Sequence, residues 1–302
     1  MKLTGIWLLC FLTFSSSQLK AQRARSSSET YGPPTQLTLL KDKSVKESSG
    51  LAASTVPGVY WTHNDSGDGP FIYAFDTRGN SRGVWRVTGA SATDWEDIAT
   101  GPGPKPGVSY LYIADTGDNQ SKRAEVVVYR LPEPDLKTGA RAKSKATATA
   151  QAETFRFRYP DGSHDAEALL VHPHTGNLYI ITKILLGNPG IYEAKAPLTV
   201  NGTTTLNLIG TLSVPSLLGG IITGGAISPD GRRVVFCDYL QGYEAVLENG
   251  SSGFDTIWKR PLVSLTLGKR AQGESITYRL DGKALLMTSE GSPMPLIQVV
   301  RR

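Results

Sequence analysis

Acidic residues recur in this chain at one kind of place, the few positions leading into a short apolar run. Glu47 and Ser49 precede Leu51; Asp94, Glu96 and Asp97 precede Ile98; Asp165 and Glu167 precede Leu169; Glu274 precedes Ile276. Brought together, such carboxylates could hold a hard cation or divide acid and base work between them. A donor set without thiolates or several imidazoles suits Ca²⁺ or Mg²⁺ better than zinc. The expected cation ligands are Glu96, Asp97, Glu167, Glu274, Asp118 and Asn119, with Asp65 and Asp115 as further oxygen donors. A competing account is ordinary turn chemistry, because Asp65-Ser-Gly-Asp-Gly69 and Asp115-Thr-Gly-Asp-Asn119 are also what Asp-Gly turns look like. His63, His164 and Glu167 are the expected catalytic residues if the protein does chemistry, since a neutral imidazole can act as a base near pH 7. His172 and His174 fall in a polar turn. No nucleophile elbow, phosphate loop or Cys/His metal pattern is present.

For these segments to meet, the fold must repeat. The pattern reads Ser49-Gly50-Leu51-Ala52, Glu96-Asp97-Ile98-Ala99, Glu167-Ala168-Leu169-Leu170, Gly225-Ala226-Ile227-Ser228 and Glu274-Ser275-Ile276-Thr277. An aromatic or β-branched strand follows each copy, as in Val59-Tyr-Trp-Thr-His63 and Tyr110-Leu-Tyr-Ile-Ala114, then a turn and further strands. Fourth strands are expected at residues 83–87, 153–157, 206–209 and 256–258. Four short antiparallel strands per repeat predict an all-β fold, a β-propeller of five blades. Six blades remain open, because the widest repeat step could hide a degenerate one; an insertion at residues 137–150 is the preferred explanation. A β-sandwich is the competing fold. The last repeat has three strands before Arg302, and Thr35-Gln-Leu-Thr-Leu-Leu40 is a spare strand, so the N-terminal strand should complete the last blade. Closing the ring removes exposed sheet edges. First strands of blades line a propeller's channel, so the acidic segments should converge at one of its mouths.

Residues 1–21 have the layout of a secretory signal peptide: a positive start, the apolar run Gly5-Ile-Trp-Leu-Leu-Cys-Phe-Leu-Thr-Phe14, and a plausible cut after Ala21. The run is far short of the ~20 residues a membrane helix needs, although an uncleaved anchor is the alternative. A flexible segment over 22–34 and one propeller domain over 35–302 complete the layout. The expected location is secreted or periplasmic, with no integral membrane segment after cleavage. Cleavage removes two lysines and lowers the formal net charge from +5 to +3. That mild excess, whose one basic cluster at Lys137 to Lys145 reads as a solvated loop, argues against nucleic-acid binding. Only Cys237 remains, so no internal disulfide can form and the core must carry stability. A monomer is expected.

At Trp61-Thr-His-Asn-Asp-Ser-Gly67, Asp94-Trp-Glu-Asp-Ile98, Ala114-Asp-Thr-Gly-Asp-Asn119 and His164-Asp-Ala-Glu-Ala-Leu169 the chain resembles a group of secreted bacterial propeller proteins, mostly uncharacterised. The likeness spans about residues 45–240. More distantly it is similar to the gluconolactonase, paraoxonase and strictosidine-synthase-like propellers, many of which hold Ca²⁺ at the channel mouth through a Glu at a blade start together with Asn and Asp. That resemblance implies Glu96, Glu167 or Glu274 as the Glu, with Asn119 as a partner. Five repeats in place of six, and Gly225 in place of an acid, depart from the pattern. Two functions stay open. One is a binding propeller that takes a small molecule, carbohydrate or protein at its mouth, with or without Ca²⁺. The other is a lactone, ester or glycoside hydrolase using mouth carboxylates and histidine.

Overall fold

A computed structural model describes residues 30–216, 220–291 and 293–302. The proposed signal peptide and most of the 22–34 segment therefore lie outside the described residues. Tyr31 and Gly32, inside that segment, are tied to the end of the chain. Tyr31 is buried, bridges Arg301 and donates its hydroxyl to Glu244 at 2.5 Å, and the Gly32 N–H bonds the Val300 carbonyl.

The chain folds as a five-bladed β-propeller with almost no helix. The first blade is β2 (Ser48–Ala53), β3 (Val59–Asn64), β4 (Phe71–Asp76) and β5 (Ser81–Thr88). The second is β6 (Trp95–Pro102), β7 (Ser109–Asp115), β8 (Val126–Pro132) and β10 (Glu153–Arg158). Two edge strands pair parallel to these blades, β9 (Thr147–Gln151) on β5 and β14 (Thr203–Thr205) on β10. The third blade is β11 (Ala166–Val171), β12 (Leu178–Thr182), β13 (Gly190–Ala194) and β15 (Asn207–Thr211). The fourth is β16 (Gly224–Ile227), β17 (Arg233–Cys237), β18 (Gly242–Val246) and β19 (Val263–Leu265). The fifth is β20 (Ser275–Tyr278), β21 (Ala284–Thr288) and β22 (Pro295–Val300), completed by β1 (Thr35–Leu39), which pairs antiparallel with β22 as expected.

The strands read as unbroken apolar runs because each blade is covered on both sides. Successive side chains leave a strand on opposite faces. In β7, Tyr110, Tyr112 and Ala114 pack toward the third blade, while Leu111 and Ile113 pack toward the first. In β17, Val234 and Phe236 face the third blade and Val235 and Cys237 the fifth. The core is thus a set of wedges between neighbouring blades, the last formed by Leu51, Tyr60, Leu286 and Leu296 where fifth meets first. Hydroxyl groups close the same seam: Ser48 Oγ lies 2.7 Å from both Thr62 Oγ1 and Thr288 Oγ1.

Two expectations need correction. Residues 256–258 are not a strand but part of a 3-10 turn over Phe254–Lys259, and β19 takes the outer position. Phe254 and Trp258, one turn apart, stack on Tyr179 of the third blade, so their aromatic character serves a turn packed across blades. The insertion at 137–150 is also more than a loop, for it contains two 3-10 turns and the start of β9. Among the described residues no helix is long and apolar enough to cross a membrane.

Candidate functional site

The innermost strands β2, β6, β11, β16 and β20 stand side by side around the axis. Each first strand starts, and each second strand ends, on the same face, so the loops there converge. A repeated device sets the entering loop. The last residue of β3, Asn64, accepts the N–H groups of Lys46 and Glu47 at 2.8 and 3.0 Å. The last residue of β7, Asp115, accepts those of Thr93 and Asp94 at 3.1 and 3.2 Å, and Arg123 pairs with it at 2.9 Å. Asp115 therefore positions the acidic loop instead of joining it.

Bulges then decide which side chain enters the mouth. Pairing of β6 with β7 skips from Trp95 to Asp97, and pairing of β11 with β12 skips from Ala166 to Ala168. The residues left over are Glu96 and Glu167. In β2 the leftover residue is Ser49, whose hydroxyl donates to the Glu96 carbonyl at 2.9 Å. An extra residue in one strand re-aims its side chain. Here it turns two glutamates from neighbouring blades toward each other.

Two overlapping groups result. Carboxylate oxygens of Asp65, Asp94 and Glu96 all lie within 4.8 Å of one another, as do those of Glu96, Asp165 and Glu167. Three blades contribute, and Glu96 belongs to both groups. Glu96 is 5% exposed, and among the described residues no hydrogen bond reaches its carboxylate. Gly117 permits this closeness, since a Cβ there would sit 2.0 Å from Glu96 Oε1 and 2.5 Å from Asp94 Oδ2. Lys183, just past the end of β12, donates to Glu167 and lies 5.5 Å from the centre of the Tyr239 ring.

The charge balance is unfavourable to ionised acids. Burial, then Glu167, drives the Glu96 carboxyl well above its usual range. Burial raises Glu167 as well, against the opposing pull of Lys183. Burial and then Glu167 push Glu274 up to about 8; burial with Asp65 and Glu47 brings Glu290 to about 7; burial with Asp65 and Asp165 takes Asp94 to about 6. A proton or a cation must relieve such crowding.

Of the residues expected from sequence, Glu96 and Glu167 stand in the site, and Glu274 borders it with its carboxylate bonded to Gln272. Asp97 does not point there. It is buried beneath the mouth, accepting the Ile98 and Leu169 N–H groups at 2.8 and 2.9 Å, with those of Gly225 and Leu51 also directed at it. One carboxylate thus ties four blades together. The Asp118 carboxylate is held in its own turn, accepting the Arg123 N–H at 2.6 Å, and is not among the two acidic groups, although its backbone N–H donates to Asp165 at 2.7 Å; exposed Asn119 follows it in the same turn. His63 is fully buried against Trp95, facing the second blade like Val59 and Trp61, and burial keeps its imidazole below its ordinary pKa and neutral. His164 turns away to Asp161 at 3.0 Å and the Tyr192 hydroxyl at 2.9 Å. Sequence reasoning missed Lys183, although it follows a second strand just as Asp65 follows β3.

No protein-family model matches the chain, and none of the curated proteins does. Solved structures similar to it include a gluconolactonase from Xanthomonas campestris, at 12% identity and TM-score 0.48 over 89% of each chain. Another is the Dos1 propeller, at 10% identity and TM-score 0.37 over 83% of this chain and 67% of that one.

Proposed function

We propose that the mouth binds a divalent cation, Ca²⁺ by the chemistry of its donors, and through it an oxygen-bearing ligand. The observation that carries this reading is Glu96: a buried carboxylate without a hydrogen-bond partner among the described residues, shared by two acid groups from three blades. All the donors are carboxylate oxygens, which suits a hard cation, and Lys183 offsets only one of them. Glu96, Asp94, Asp165 and Asp65 would hold the ion, with Glu167 shared between it and Lys183. A bound Ca²⁺ would supply Lewis-acid attraction for a ligand carboxylate, phosphate or carbonyl. The signal-peptide reading places the protein outside the cell or in the periplasm, where sites binding Ca²⁺ at about 10⁻⁴–10⁻³ M are useful.

A hydrolytic use of the mouth would rest on that cation and Glu167, because neither His63 nor His164 reaches the acid groups. The test of the cation site is a Tb³⁺ luminescence titration with Ca²⁺ as competitor. Parent protein and Asp118→Asn should bind, whereas Glu96→Gln and Asp165→Asn should not. Equal binding by all four proteins, or none by the parent, would overturn the assignment.

A further inference from the structure

The three most exposed large apolar side chains among the described residues are Leu186 at 80%, Leu240 at 70% and Leu185 at 67%. All three stand on the mouth face. Leu185 and Leu186 are in the loop joining β12 to β13, following Lys183 and Ile184; Leu240 is in the loop joining β17 to β18, directly after Tyr239. The two loops leave from the contact between Lys183 and the Tyr239 ring, so both begin at the edge of the acid group. Corresponding positions in the first two blades are Asp65-Ser-Gly-Asp-Gly69 and Thr116-Gly-Asp-Asn-Gln-Ser-Lys122, polar or small throughout. The mouth is therefore lopsided, with carboxylates on blades one to three and five and the exposed leucines on blades three and four.

These leucines are presented on a fixed base. The Ile184 N–H bonds the Gly220 carbonyl at 2.8 Å, and a Cβ on Gly220 would lie 2.0 Å from the Ile184 carbonyl oxygen. Ile184 itself is partly exposed beside them. Apolar groups left in water on neighbouring loops beside a polar rim mark a binding surface.

We infer that the ligand of the mouth is a single-chain amphiphile with an anionic head. Its carboxylate or phosphate meets the cation held by Glu96 and its partners, and its hydrocarbon chain lies across Ile184, Leu185, Leu186 and Leu240. This inference rests on the cation reading above: without the ion, the acids would repel such a head. Depth selects one molecule over a lipid surface. Glu96 and Glu167 are only 5% and 6% exposed, so a single head can descend to them whereas a flat layer of headgroups stays above.

The test measures binding of butanoate, octanoate, dodecanoate and dodecyl phosphate by calorimetry, below their micelle concentrations, in Ca²⁺ and in chelator. Affinity should rise about twofold to fourfold per added methylene, the range for burying half or all of each CH₂. Binding should vanish in chelator. The double variant Leu185→Ser/Leu186→Ser should bind dodecanoate no better than butanoate, yet keep the parent's Ca²⁺-induced rise in melting temperature. Affinity independent of chain length, binding that survives chelation, or an unaltered double variant would each refute the inference. So would sedimentation with phosphatidylglycerol vesicles without binding of the free amphiphiles. A Ca²⁺ response with no amphiphile binding sinks this inference alone; no Ca²⁺ response in the parent sinks the cation reading with it.

Discussion

Replacing Glu96 by Gln should stabilise the cation-free protein at pH 8, although it removes a buried charged group. The nearest acidic oxygens lie within 4.8 Å of its own. Two unit charges at that distance repel by about 3.5 kcal/mol in an effective dielectric of 20. Screening at the partly exposed Asp65, Asp94 and Asp165, and proton uptake by the group, reduce the release to about 1–3 kcal/mol. The substitution conserves shape and breaks no described hydrogen bond of that carboxylate, so little opposes the gain. At about 2–4 °C per kcal/mol for a domain of this size, the melting temperature should rise by roughly 2–12 °C in chelator. The pH dependence follows from the raised pKa values of Glu274, about 8, Glu290, about 7, and Asp94, about 6. The folded state holds these protons where the unfolded state, with carboxyls near 4, has released them. Their contribution is therefore complete below about pH 4 and is lost as pH climbs through 6 to 8. The parent should gain stability on acidification from pH 8 to 5, and the advantage of Glu96→Gln should shrink over the same interval. Saturating Ca²⁺ should reverse the order, stabilising the parent and leaving the variant unmoved. Calorimetric melts in chelator and in Ca²⁺ at both pH values read all of this. A variant that melts below the parent at pH 8 in chelator would show that Glu96 is a structural bond and refute the electrostatic reasoning.

Asp97→Ala should cost about 3–5 kcal/mol in urea unfolding, because it orphans at least the Ile98 and Leu169 N–H groups at about 1–3 kcal/mol each. Asp97→Asn should cost about half as much and leave Tb³⁺ binding intact; loss of the ion with an unchanged fold would make Asp97 a ligand after all. Gly117→Ala, which drives a methyl group into Glu96 and Asp94, should weaken Tb³⁺ binding by roughly tenfold or more, about 1.4 kcal/mol. Gly253→Ala, with open space around it, should change nothing by the same titration. Deleting residues 1–40 removes β1 and should expose β22 as a sheet edge, seen as faster proteolysis of the fifth blade and a broadened melt.

Much of the fold was legible because a propeller writes itself several times. Five acidic or small motif starts, each followed by an apolar strand, and one spare strand over residues 35–40 point to the closed ring, which β1 completes. Residues 256–258 misled because β-branched and aromatic side chains suit a strand and a packed 3-10 turn equally well, and only the stack of Phe254 and Trp258 on Tyr179 chooses between them. The histidines misled for a related reason. His63 and His164 were placed correctly along the chain, but the direction of a side chain depends on what packs beside it: Trp95 for one, Asp161 and Tyr192 for the other.

The sequence by itself pointed to a propeller of five blades with six left open, to its closure by an N-terminal strand and to acids meeting at one mouth, because these follow from period and from residue type. The tertiary structure alone decided which acids face one another. Glu96 and Asp97 are neighbours of the same chemical kind, yet one enters the mouth and the other ties four blades together below it. In a strand adjacent side chains leave on opposite faces, and a single bulge sets which face is which. That choice is made in the pairing of β6 with β7, where no residue type records it.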